Sequence, residues 1–145
     1  MVPTLSGRIQ TRLFLLALVG GAVTALITPA LPLSGPLADR YRATFLILAA
    51  VAVLGVGWEF GYHLAMQWRW EKDWPTLLGL LTLLPEAAAV WTVAGRGLIP
   101  GLPGPIPAGA FTIHIVTVWV VVWLTANGPM RVPFTRWRFR GGRLL

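Results

Sequence analysis

Cysteine is absent from the sequence. Disulfides, iron–sulfur clusters and cysteine-ligated zinc are therefore excluded, and the redox compartment is left open. Charge is scarce too. Only 12% of residues are charged, about half the roughly 25% of a soluble domain. Lysine occurs once, beside eleven arginines and five acidic residues. Serine occurs only as Ser6 and Ser34, in a flank and a loop, with no base nearby. Gly-x-Ser-x-Gly, His-Glu-x-x-His and phosphate-binding glycine loops are missing. No enzyme activity, cofactor or metal centre is expected from this inventory.

Apolar residues are abundant. They make up 56% of 145 residues, and the mean hydropathy is +0.70. Spanning hydrocarbon takes about 20 apolar residues. Four runs meet that length, at about 13–31, 43–66, 75–94 and 108–126, followed by a basic and aromatic tail at 127–145. Backbone polar groups in lipid must be satisfied within the segment, which makes each run a helix. A transmembrane barrel would alternate in ten-residue strands, and these runs do not. The predicted fold is an all-α integral membrane four-helix bundle in one domain.

Orientation follows from the cations. Arg8, Arg12, Arg69, Lys72, Arg131, Arg136, Arg138, Arg140 and Arg143 flank one side, nine in all, against Arg40, Arg42 and Arg96 on the other. The positive-inside rule then predicts both termini in the cytoplasm, in a bacterial inner membrane. The net charge of +7 is read as membrane orientation and attraction to anionic lipid headgroups, with no nucleic-acid partner. Thr28-Pro29-Ala30-Leu31-Pro32 is a poor signal-cleavage site, so the first run is expected to remain. No internal repeat suggests an inverted-repeat transporter.

Small residues recur at helical spacing. Ala17, Gly21 and Ala25 form one series, and Gly57 and Gly61 another. Such positions let helices approach closely, within the bundle or between copies.

Four titratable residues interrupt the runs: Glu59, His63, Glu86 and His114. A central charge costs about 2.5–3.5 kcal/mol to insert, so these residues call for a partner or a task. Glu59 and His63 share a helix face. From the cytoplasmic ends the depths are about 5 Å for His63, 11 Å for Glu59, 16 Å for Glu86 and 21 Å for His114. Pro85 is expected to open a helical hydrogen bond beside Glu86. One interpretation is an interhelical polar network, with the carboxyls protonated or paired with histidine. Another is a proton or small-cation ladder. A single metal ion suits these depths poorly, because ligand bonds are near 2 Å. The first run carries no such residue and is expected to serve packing or assembly.

The inner hairpin offers Arg69 and Lys72 to headgroups or a partner, and the tail offers Arg136, Trp137, Arg138 and Arg140. Arginine and tryptophan are favoured at binding hot spots. The stretches Leu5–Arg12, Arg69–Pro75 and Asn127–Arg131 resemble those of small four-span membrane proteins of GC-rich, actinobacterial-type bacteria. The resemblance implies the fold and carries no functional residue.

These features lead to the expectation of a non-enzymatic membrane subunit or anchor within a homo-oligomer or larger complex. It would dock cytoplasmic partners through its hairpin and tail. The alternative is a proton-linked channel or transporter subunit using the Glu/His ladder.

Overall fold

A computed structural model describes residues 4–69 and 75–144, with the backbone alone at Thr135 and Arg138. The described residues form helices and no strand. Four helical segments are long and apolar enough to cross a membrane: Leu5–Ala30, Leu37–Gln67, Thr76–Gly95 and Ala108–Arg131. They are called spans one to four.

Span one starts at Leu5, about two turns before the expected Leu13. Thr4 is the cause. Its backbone is extended, and its hydroxyl accepts from the Gly7 N–H at 3.1 Å, capping an otherwise orphaned donor. Span one comprises α1 (Leu5–Leu15), a π turn (Leu16–Gly20), α2 (Gly21–Ile27) and a 3-10 turn (Thr28–Ala30). Its inner face repeats every four residues as Arg8, Arg12, Leu16, Gly20, Thr24 and Thr28. Four residues of α-helix overshoot a full turn by about 40°. The π turn is wider and takes more residues per turn, so it counters that drift and keeps the series facing the other spans.

Span two is the continuous helix α3 (Leu37–Gln67). Span three is broken into α4 (Thr76–Leu81) and α5 (Leu83–Gly95) at Thr82. Pro85 lacks an N–H, so the Leu81 carbonyl loses its donor four residues on, and the proline ring crowds it. Span four is α6 (Ala108–Asn127), extended by a 3-10 turn at Pro129–Arg131. A short helix, α7 (Thr135–Phe139), follows.

The core is apolar at mid-height. Leu16, Ile47, Leu48, Val51, Val90 and Val118 are all buried there. Gly20 allows a close crossing, since a Cβ would lie 3.3 Å from Leu48 and 3.4 Å from Val118. The small residues at helical spacing lie largely outside this core. Ala17 and Ala25 are exposed and Gly21 is half-buried. Gly57 and Gly61 are exposed, and a Cβ at either would meet no atom within 4 Å. Close approaches within the chain include those at Gly7, Gly20 and Gly55.

Thr4 and Gly141 meet at one end of the bundle, where the Thr4 N–H donates to the Gly141 carbonyl at 2.9 Å. At the opposite end, the segment 96–107 has no regular helix, and its Ile99 is buried against the core.

Candidate functional site: a buried arginine–glutamate cluster beneath the tail

Charge inside an apolar bundle must be neutralised or it destabilises the fold. Three residue pairs among the described residues form ion pairs, and all belong to one cluster. Arg12 Nη1 and Nη2 donate to the two oxygens of Glu86 at 2.6 and 2.8 Å. Arg12 Nε donates to Glu59 Oε1 at 2.8 Å. Arg8 Nε donates to Glu59 Oε2 at 2.6 Å. Glu59 is 5% exposed and Glu86 2%. Two guanidiniums and two carboxylates thus form a charge-neutral group tying spans one, two and three together.

The local structure explains each placement. Arg8 and Arg12 are four apart in α1 and share a face. The planar guanidinium of Arg12 presents donors in a fixed fork, so one side chain serves two carboxylates on two helices, which a lysine ammonium could not match. Gly55 makes room for it, because a Cβ there would clash with the Arg12 guanidinium. The ring of Trp119 lies under the same group, 5.7 Å from the Arg12 guanidinium carbon.

The expected Glu/His ladder therefore takes a different form. Glu59 and Glu86 do meet, but their partners are arginines of span one rather than histidines. His63 is half-buried, and its Nε2 is 3.5 Å from Gln67 Nε2. No ion pair among the described residues includes it. His114 is 2% exposed and lies toward the other end, with Nε2 2.9 Å from Thr24 Oγ1. Thr28 Oγ1 continues that layer, 2.8 Å from Thr44 Oγ1, and donates to the Thr24 carbonyl at 2.6 Å. Arg12 and Thr24 are about 18 Å apart along the helix. Leu16, Gly20, Leu48 and Val118 fill the interval. Among the described residues no group of acidic, histidine or cysteine side chains could hold a metal.

Sequence reasoning missed Arg8 and Arg12 as site residues because they precede the apolar run. Two signals pointed to them. Thr4 directly before Leu5 reads as a helix N-cap, and the four-residue spacing puts two cations on one face opposite two buried acids.

The tail folds back over this end. Trp137 is buried, and its indole donates to Thr11 Oγ1 at 2.6 Å. Thr11 in turn donates to the Gly142 carbonyl at 2.9 Å. Gly141 and Gly142 have φ of 63° and 84°, values that favour glycine. Gly7 is the contact point on α1, since a Cβ there would strike the Gly141 carbonyl. Of the residues expected to dock partners, Trp137 is thus held by the chain itself, while Arg136 and Arg140 are exposed and Arg69 is half-buried. Lys72 and the side chain of Arg138 lie outside the described residues. A cavity of about 280 Å³ separates tail and cluster, lined by Arg8, Arg12, Glu59, Trp119, Trp123 and Arg131 among others.

Fold and site define a multi-pass helical membrane protein with a neutralised charge cluster in its interior. No protein family, curated protein or solved structure matches the chain.

Proposed function

We propose that this protein is a non-enzymatic membrane subunit or anchor of a bacterial cytoplasmic membrane, with both termini inside, working within a homo-oligomer or larger complex. The observation that carries this is the docked tail. Its Trp137 is fixed on α1, and this holds Phe139, 81% exposed, between exposed Arg136 and Arg140. An aromatic flanked by arginines has the composition of a binding hot spot. Two further facts support a structural task. The buried carboxylates already have cationic partners, and the small residues Ala17, Ala25, Gly57 and Gly61 face outward, where another helix could approach closely.

The test is a photo-crosslinking residue at position 139 in intact cells. A discrete protein adduct, lost in the Arg136→Glu/Arg140→Glu variant, is expected. Adducts to lipid alone would overturn the proposal.

A proton-linked channel or transporter subunit is the second reading. The cavity favours it, because it brings Glu59 within reach of one membrane face. The apolar layer between Arg12 and Thr24 opposes it. Proton flux in proteoliposomes that Glu59→Gln abolishes would transfer the assignment to this reading.

A further inference from the structure

The cavity beneath the tail combines an aromatic, apolar wall with charged groups. Three indoles line it: Trp119, Trp123 and Trp137. Each already donates its N–H elsewhere, to the Gly79 carbonyl at 3.3 Å, the Thr76 carbonyl at 3.0 Å and Thr11 Oγ1 at 2.6 Å respectively. The rings therefore offer an occupant hydrocarbon surface and no donor. Val122 and Ala126 add to that surface. A volume of about 280 Å³ falls at the small end of ligand sites, roughly 300–1,000 Å³, and suits one flexible chain.

The charges select the head. Arg8, Arg12 and Arg131 line the cavity with Glu59, and Glu86 is held by Arg12. Among the described residues, three guanidiniums against two carboxylates leave one positive charge. Arg131 carries it. It is exposed, and among the described residues its Nη2 meets the neutral Asn127 Oδ1, at 3.0 Å. A cationic ligand is disfavoured by this balance, and the face of Trp119 is already taken by Arg12. Arg131 also closes span four, and a cation at the end of a span is placed to meet an anionic headgroup.

We propose that this cavity takes one acyl chain of an anionic phospholipid, with the lipid phosphate at Arg131. The chain would lie between the three indoles, above the arginine–glutamate cluster and below the tail. The site is a slot inside the chain, distinct from attraction of lipid to the outer arginines.

The experiment is native mass spectrometry of the full chain, equilibrated in mild detergent with equal amounts of phosphatidylglycerol and phosphatidylcholine of matched chains. One phosphatidylglycerol per chain should be retained, with phosphatidylcholine at least about tenfold lower. Arg131→Gln should cut retention about tenfold, equivalent to about 1.4 kcal/mol, while Arg136→Gln on the exposed tail leaves it unchanged. Ala126→Phe, which fills the slot, should abolish retention. If that variant does not fold, Arg131→Gln at an exposed position still decides the question. Glycerol 1-phosphate, a head without a chain, should not displace the lipid. Equal retention of the two lipids, an equal effect of Arg136→Gln, unchanged retention in Arg131→Gln, or displacement by glycerol 1-phosphate would each overturn the proposal.

Discussion

The two polar layers of this bundle solve the same problem by different means. Near the termini, Arg8, Arg12, Glu59 and Glu86 are ionisable groups joined by charge-assisted bonds. Toward the other end, Thr24, Thr28, Thr44 and His114 are joined by hydroxyl and imidazole contacts. Charge-assisted hydrogen bonds are roughly twice as strong as neutral ones, but a buried ion left without its partner is far more costly than a lone hydroxyl. The first layer is therefore all-or-none, while the second tolerates loss one bond at a time. The difference matters most for span three. Its only buried residues in α4 and α5 are Glu86 and Val90, so the Arg12 fork is a main attachment of that span.

The largest effect is expected from Arg12→Leu, which strands two carboxylates. It should cost about 3–5 kcal/mol in reversible detergent unfolding and release span three to crosslinking or proteolysis. A loss under about 1 kcal/mol would equate the two layers. Arg12→Lys should recover only part of that loss, since the ammonium cannot bridge both acids. Full recovery would show that charge, not the fork, joins the helices.

Glu86→Gln is expected to come next, at about 1.5–3 kcal/mol, because it removes the charge from two strong hydrogen bonds. Gly7→Ala acts on the tail instead. It should cost about 1–2 kcal/mol and undock Trp137, seen as a red shift of tryptophan emission with the helix content unchanged. An unshifted spectrum would mean that the tail is held without the close approach at Gly7.

Thr24→Val should be the mildest, at about 0.6 kcal/mol, the average for an interhelical hydrogen bond in a membrane protein. If it matched Arg12→Leu, the contrast between the layers would fail.

Much of the fold was legible because hydrocarbon imposes a simple rule on sequence. The runs beginning near Ala43, Pro75 and Ala108 lie within helices close to the expected bounds. The first run was read short because hydropathy detects lipid-facing residues, and α1 turns two arginines inward. The same cause hid the cluster. Glu59 and Glu86 stood out as polar residues among apolar ones, whereas Arg8 and Arg12 looked like flanking cations. Small-residue spacing left open whether the contact lies within the bundle or between copies. A glycine or alanine permits a close approach but does not specify one, so Gly57 and Gly61 lie on the outside while Gly55, two residues earlier, accommodates Arg12.

By itself, the sequence determined that the chain forms four apolar helices, and that Glu59, Glu86 and His114 would need partners among them. Lipid leaves the backbone no other way to satisfy its hydrogen bonds, and that constraint acts on each run independently of the rest. Only the tertiary structure decided which partners those residues have. Pairing depends on the rotation and register of one helix against another. In span one these are set by the Thr4 cap and the π turn, together with close approaches at Gly7, Gly20 and Gly55, none of which composition or hydropathy records.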